Sequence, residues 1–270
     1  MRSSVRHVMR SFLRPLGLLR LALCATCARM GLHKAAEQGQ VEPLKVAIAG
    51  KFDAYNDAWK RPDINGVNSK GDVALHLAVC SRRGELEAAR VLLEKGASAD
   101  ARNGKGYTPL HVVASMCNDP DNFERLAGAA AKLLLKHGAN VNLTSTPETL
   151  TPLHVAAQAG HDKLASLLLA KRADANALDS SGATPLHHAA RALRAKVTLA
   201  LIKAGADPQV ADSAGNVARD AVAEGRDSFS KAIREYIDDA KQLRAEAIEE
   251  KRRSRAERAA AKAAQTKTEL

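Results

Sequence analysis

Aromatic residues are scarce in this sequence. Phenylalanine, tyrosine and tryptophan make up only 3% of the 270 residues, although 46% of the residues are hydrophobic. A chain of this length can bury a sizeable core, as one or two globular domains or as one solenoid. Because aromatic rings are so few, that core must be made of Ala, Leu and Val, as in stacks of small helices.

Cysteines are also few, and their positions do not form a disulfide framework. Cys24 and Cys27 lie near the N-terminus, and Cys80 and Cys117 are isolated. A zinc site would need a second C-x-x-C pair, and a redox motif would need a βαβ context. We therefore expect a reduced intracellular setting, no metal and no cofactor.

Acidic residues are absent from residues 1–30, which carry six arginines, and they are sparse in residues 251–270, which carry seven basic and two acidic residues. The remaining residues, 31–250, contain 28 basic and 28 acidic residues, so the net charge of +11 belongs to the two tails. The central region therefore has no overall field that would attract nucleic acid.

The N-terminal tail has three competing interpretations. Its arginines recur every four residues from Arg2 to Arg14, with Ser and no acids, as in a mitochondrial presequence. The apolar stretch Leu16–Ala28 resembles a weak secretory segment, but it is too short for a transmembrane span. Met30 is an alternative start, which would make residues 1–29 a mis-assigned extension. We expect a mitochondrial protein if residues 1–29 act as a presequence, and otherwise a cytoplasmic or nuclear one.

A repeated phrase organises the rest of the chain. Thr-Pro-Leu-His occurs at 108–111, 151–154 and 184–187, and a partial copy, Val-Ala-Leu-His, occupies 73–76. The leucines of these phrases, together with Leu32, are spaced 33 to 43 residues apart. Thr then Pro suits the start of a helix, the small apolar residues that follow have helical spacing, and a glycine ends it. A base period near 33 predicts a solenoid of two-helix units.

These phrases resemble the ankyrin repeat, and the resemblance covers roughly residues 31–225. It implies an all-α solenoid of about six repeats, including degenerate caps, in which antiparallel helix pairs stack and β-hairpin-like loops project from one edge. We expect three regions: a basic N-terminal tail at 1–30, the ankyrin repeat domain at 31–225 and a charged C-terminal helix at 226–270.

The repeated histidines look like a row of metal ligands. They are His76, His111, His154 and His187. By analogy with the ankyrin family, each is expected to bond backbone groups in neighbouring turns instead. Stacked units would also hold them about 10 Å apart, which is too far to share a metal.

Three interruptions distinguish this chain. Lys51–Pro62 follows the first unit and carries Phe52, Tyr55 and Trp59 at the spacing of one helical face, either to shield the core or to anchor a partner. Cys117–Arg125 is expected between the two helices of the third unit. The hairpin at 142–151 has no glycine at its turn and is one residue longer than the others.

The C-terminal region predicts one long helix from Ser228. Its apolar stripe comprises Phe229, Ile233, Tyr236, Ala240, Leu243 and Ala247. Basic residues then dominate: Lys251, Arg252, Arg253, Arg255 and Arg258. They form either a solvated helix face or a nuclear address, an RNA contact or a contact with acidic membrane.

The main functional hypothesis is a non-enzymatic adaptor that binds a protein through hairpin tips and the concave helix face. Positions matching the variable ones of the family give the hairpin candidates Ser69, Lys70, Asp72, Lys105, Tyr107, Glu148, Leu150, Ser181 and Ala183. The inner-helix candidates are Ser115, Met116, Gln158, Ala159 and Arg191. The alternative is a nucleic-acid-associated or ribonucleoprotein subunit that uses its basic tails. No catalytic constellation supports an enzyme.

Overall fold

The computed structural model describes residues 31–49, 51–53, 58–60, 63–80, 86–115, 120–222, 230–242 and 249. They belong to two compact units: unit 1 comprises 1–116 and 129–139, and unit 2 comprises 117–128 and 140–270. The predictions for the N-terminal tail, Tyr55, Met116 and the basic end at 251–258 concern residues outside the described part of the chain. The three-region division remains a prediction.

The helices of unit 1 alternate between two rows. They are α1 (Leu32–Glu37), α2 (Val41–Ala49), α3 (Ala74–Val79), α4 (Glu87–Glu94) and α5 (Pro109–Ser115). Helix α1 packs against α3, and α3 against α5, while α2 packs against α4. First helices therefore stack on first helices and second on second, which is the arrangement that the repeat period predicted.

Unit 2 repeats this arrangement. Its helices are α7 (Pro152–Ala159), α8 (Asp162–Ala170), α9 (Pro185–Arg191) and α10 (Ala195–Lys203). Helix α7 packs against α9, and α8 packs against α10. Within each repeat, α7 also contacts α8, and α9 contacts α10. The all-α ankyrin-type architecture predicted for the repeats is therefore confirmed.

Helix α7 illustrates why each unit folds as it does. Thr151 caps its N-terminus, and Pro152 follows where the helix needs no backbone donor. Leu153, Ala156 and others on the same face are fully buried. Gly160 ends the helix with φ at 90°, a conformation that glycine adopts without steric cost.

The described residues of the aromatic insertion, 51–53 and 58–60, form strands, contrary to the helix predicted from their spacing. Strand β1 (Lys51–Asp53) pairs antiparallel with β2 (Ala58–Lys60), and Phe52 lies opposite Trp59. Phe52 and Trp59 therefore do not share a helical face. Aromatic residues favour strands, so strand pairing prevails over the helical spacing at these residues.

The second large insertion is not purely a loop. Helix α6 (Pro120–Lys136) is the second helix of the third repeat, and it begins inside this insertion. Most of Cys117–Arg125 therefore belongs to that helix. Pro120 stands at the first helical position, which tolerates proline. The expectation of a separate segment between two helices was therefore wrong for residues 120–125.

The C-terminal region is helical over residues 230–242, designated α11. Ile233 and Ile237 are buried against Ala190 and Val222, so this helix covers the apolar end of unit 2. Tyr236, which was expected in the apolar stripe, is 45% exposed because Ile237 takes the buried face. No described helix is both long enough and apolar enough to cross a membrane.

Candidate protein-binding surfaces

The hairpins share one turn design. Each of four turns begins at an Asn or Asp. The Oδ1 atom of that residue accepts the backbone N–H groups of the residues two and four positions later, at 2.8–3.0 Å. The residue three positions onward is a glycine with φ between 73° and 84°. These turns begin at Asn68, Asn103, Asp179 and Asp212. Because the side chain satisfies the turn donors, the backbone of each tip is held in one conformation.

Neighbouring tips are also joined to each other. In unit 1, the backbone N–H of Gly104 donates to the carbonyl of Gly71 at 2.9 Å. In unit 2, Ser180 donates to Glu148 at 3.1 Å, and Ser213 donates to Ser181 at 2.9 Å. The tips within each unit therefore form a hydrogen-bonded row, and Lys70, Lys105, Glu148 and Ser181 are exposed on it.

The irregular hairpin keeps this design with different residues. Ser145 takes the place of the Asn or Asp, and its hydroxyl accepts the backbone N–H of Leu150 at 3.1 Å. Thr149 adopts a positive φ of 52°, as the glycine does elsewhere. The hydrogen bond from Leu150 to Ser145 spans five residues, whereas the equivalent bond in the other turns spans four. This difference agrees with the extra residue predicted for this hairpin.

The repeated histidines link each repeat to the next repeat along the chain, as expected. In the Thr-Pro-Leu-His phrases, the Thr N–H donates to the His Nδ1 at 3.1–3.2 Å, so Nδ1 accepts and Nε2 carries the proton. Nε2 of His154 donates to the carbonyl of Ala183, and Nε2 of His187 donates to that of Asn216, each at 3.1 Å. These histidines are structural, and no described cluster of His, Cys, Asp and Glu is arranged to hold a metal.

His76 differs from its counterparts. Its Nε2 donates to the carbonyl of Tyr107 at 2.9 Å, but its buried Nδ1 has no hydrogen-bond partner. Val73 stands where the other phrases have threonine, so it supplies no hydroxyl to Nδ1 of His76. A buried nitrogen without a partner destabilises the fold.

Burial keeps these imidazoles neutral. It is the largest of the causes that lower the pKa of His154 to about 4, and the positive charge of His188 acts in the same direction. Burial likewise lowers the pKa values of His76 and His187. The hydrogen bond from the Thr N–H to Nδ1 at His154 and His187 therefore depends on a neutral histidine, because a protonated imidazole cannot accept at Nδ1.

One side-chain hydrogen bond joins a hairpin to an inner helix. Asp179 begins the turn at 179–183, and its Oδ2 lies 2.8 Å from Nε2 of His188 on α9. Burial raises the pKa of Asp179, but hydrogen bonds from Ser181, His188 and the backbone N–H of Ala183 outweigh it and bring the pKa to about 2. Asp179 thus fixes the hairpin turn and its angle to α9 together.

Most described candidate residues are accessible. The exposed ones are Ser69, Lys70, Lys105 and Ser115 in unit 1, and Glu148, Gln158, Ser181 and Arg191 in unit 2. Asp72, Tyr107 and Ala159 are half-buried. The expectation that all candidates point outward was wrong for Leu150 and Ala183, which are 7% and 0% exposed. Both side chains lie on the inward side of their hairpins and pack in the core.

A family model described as ankyrin repeats, in three copies, matches residues 32–130 and 125–212. The chain belongs to the ankyrin-repeat family. Ankyrin repeats are generally protein–protein interaction modules, and the family is generally non-enzymatic. The family predicted from the Thr-Pro-Leu-His phrases is thereby confirmed.

Several curated proteins are similar to this ankyrin-repeat chain over about half its length. Human Ankyrin repeat and SOCS box protein 16 is 34% identical over 53% of this chain and 29% of its own length. The mouse Nuclear factor NF-kappa-B p105 subunit is 36% identical over 53% of this chain and 13% of its own. Human Rabankyrin-5 is 35% identical over 56% of this chain and 13% of its own. The chain therefore matches only a minor part of each relative.

Sequence reasoning missed several residues that shape these ankyrin surfaces. Ser145, Asp179 and His188 set hairpin conformation through the bonds described above. Leu178, which is 54% exposed beside the turn at Asp179, was also overlooked. The recurrence of Asn or Asp three residues before a glycine was a usable signal for the turns. No local pattern indicates the contact between Asp179 and His188.

Proposed function

We propose that this protein is a non-enzymatic adaptor that binds a partner protein through its hairpin tips and the exposed residues of its inner helices. The observation that carries the proposal is the hydrogen-bonded row of tips in each unit. A preformed row loses little conformational entropy when a partner binds, so its exposed side chains contribute efficiently to affinity.

The surface of unit 2 provides the clearest test. Glu148 and Ser181 are exposed on adjacent tips, while Gln158 and Arg191 are exposed near the ends of α7 and α9. None of these four side chains belongs to the core, so changing them leaves the packing of the repeats in place. They form the candidate set for one binding surface.

The experiment captures partners with the full-length tagged protein and with a variant that carries Glu148→Lys, Ser181→Glu and Arg191→Glu. The control carries Ser166→Glu and Lys203→Glu, which change exposed residues on the second helices α8 and α10. We expect the first variant to lose partners that the control retains. If every captured protein remained bound to the first variant, the placement of the surface would be wrong.

A second function, as a nucleic-acid-associated subunit, is favoured by one observation: the excess positive charge lies in the two tails. Phosphate contacts would make such binding steeply dependent on salt. Deletion of 251–270 should then abolish RNA binding measured at low salt. Absence of binding by the full chain under the same conditions would contradict this function.

A further inference from the structure

Two lysines occupy the same turn position in the two regular hairpins of unit 1. Lys70 and Lys105 each stand two residues after the asparagine that begins the turn, and each donates its backbone N–H to that asparagine, at 2.8 and 3.0 Å. Both lysines are exposed. The turn therefore fixes the backbone of each lysine while leaving its ammonium group in solvent.

Glycine residues allow the backbones of the two tips to lie in direct contact. A Cβ on Gly71 would lie 2.7 Å from the Cα of Gly104, and one on Gly104 would lie 3.2 Å from the carbonyl oxygen of Lys70. Side chains larger than hydrogen cannot occupy this contact without displacing the backbone. Lys70 and Lys105 are each bonded to one of these glycines, so the two lysines flank the contact and cannot separate.

Arg102 adds a third cation to this cluster, and we call Lys70, Arg102 and Lys105 the unit 1 tip. The guanidinium of Arg102 donates to the carbonyl of Gly106 at 3.0 Å and remains exposed. Asp72, an acidic residue of these turns, already accepts a hydrogen bond from the side-chain amide of Asn103 at 3.1 Å. Within the described residues, neither lysine forms an ion pair.

The turn itself does not require positive charge. In unit 2 the corresponding positions hold Ser181 and Ala214, whose backbone N–H groups make the same bond to their aspartates at 2.8 and 2.9 Å. The third tip of unit 2 exposes Glu148. The concentration of cations is therefore specific to the unit 1 tip and is not explained by the fold.

We propose that the unit 1 tip binds an acidic peptide segment of a partner protein. This deepens the adaptor function proposed above and rests on it. Ammonium and guanidinium groups on a fixed backbone complement carboxylates that lie across adjacent tips. A nucleic acid fits less well, because recognition of single strands uses exposed aromatic faces. The aromatic residue of these turns, Tyr107, is half-buried and stacks on His111 with ring centroids 5.6 Å apart.

The test uses the full chain and a labelled peptide of alternating glutamate and serine. A carbodiimide couples peptide carboxylates to nearby lysine amines, and mass spectrometry then locates the products. We expect coupling at Lys70 and Lys105 in preference to Lys163, Lys171 and Lys203 on exposed outer positions of unit 2. This localisation distinguishes the unit 1 tip from binding by the basic tails.

Matched variants measure the contribution of the tip. Lys70→Ser with Lys105→Ser should weaken peptide binding about tenfold at low salt, since serine is compatible with the same turn at position 181. Lys171→Ser with Lys203→Ser is the control, because it removes the same charge from exposed outer positions of unit 2, and it should not weaken binding. The difference between wild type and the serine variant should shrink as salt rises.

Three results would overturn the proposal. They are even coupling across all exposed lysines, unchanged affinity of the serine variant, or tighter tip-dependent binding of a single-stranded RNA than of the peptide. Partners lost on changing Glu148, Ser181 and Arg191 but retained by the serine variant would leave the adaptor function intact and remove only the acidic partner.

Discussion

Replacing Val73 with threonine should stabilise unit 1, because it supplies the hydrogen-bond partner that His76 lacks. The backbone at Val73 has φ −79° and ψ 151°, close to the −84° and 162° of Thr151. In the complete phrases the Thr Oγ1 lies 2.8–2.9 Å from the His Nδ1. The new hydroxyl should therefore reach Nδ1 of His76 without rearrangement.

The expected gain follows from two opposing terms. Giving a partner to a buried unsatisfied group recovers about 1–3 kcal/mol. Exchanging a buried methyl for a hydroxyl loses about 0.8 kcal/mol of hydrophobic stabilisation. The net stabilisation of Val73→Thr should thus be about 1 kcal/mol, and the thermal midpoint should rise by about 2–4 °C.

Urea denaturation followed by circular dichroism measures this change. The mirror variant Thr151→Val removes the hydroxyl that bonds Nδ1 of His154 and caps the helix, and it should destabilise unit 2 by about 1–2 kcal/mol. In a background with His76→Leu, Val73→Thr should lose its benefit, since the two changes act through one bond. A Val73→Thr variant that was neutral or less stable, beside a destabilised Thr151→Val, would refute the reasoning.

Three further predictions concern unit 2. The pKa of His154 in the fold, about 4, lies below its ordinary value of 6.5, so the stability is complete above about pH 6.5 and falls as the pH drops towards 4. The free energy of unfolding, measured by urea titration, should fall by about 2 kcal/mol by pH 5. His154→Gln should reduce this dependence of stability on pH. Gly160→Ala should cost slightly more than the roughly 1 kcal/mol expected for Gly205→Ala, since both have φ near 90° but only the Cβ at 160 would displace the flexible side chain of Arg194 and its hydrogen bond to the carbonyl of Gln158. Thermal melts that rank these two variants equally would contradict that crowding. Asp179→Asn, which keeps the turn bonds as Asn68 does, should destabilise by about 1 kcal/mol in urea titrations, and Asp179→Ala by about 2–3. An Asp179→Asn variant as stable as the wild type would show that His188 contributes nothing, and equal losses in the two variants would show that the turn bonds contribute nothing.

The repeat period and the residues of the Thr-Pro-Leu-His phrase were sufficient to predict the stack. Thr151 and Pro152 start a helix by local chemistry, and Gly160 ends it, so neither depends on distant contacts. The role of His154 could likewise be expected, because the resemblance to the ankyrin family implied it. Periodic sequence determines periodic structure since each unit contacts only its neighbours.

The interruptions depended on tertiary structure. The spacing of Phe52 and Trp59 fits a helix, yet cross-strand pairing made it a hairpin, and spacing alone cannot weigh one against the other. Leu150 and Ala183 occupy hairpin positions that look variable, but the pleat of each hairpin turns them into the core. Burial of this kind depends on which face of the hairpin packs on the helices.

The sequence by itself determined the repeated helices, their caps and the neutral charge of the central region, because these follow from residue types at fixed spacings. Only the tertiary structure decided how the tips join, how Asp179 reaches His188 and how Gly71 meets Gly104. These contacts form between residues that are distant along the chain, so they depend on the packing of whole units. The sequence alone shows that Lys70 and Lys105 are positively charged. The close contact between their tips, which places both charges on one surface, exists only in the folded protein.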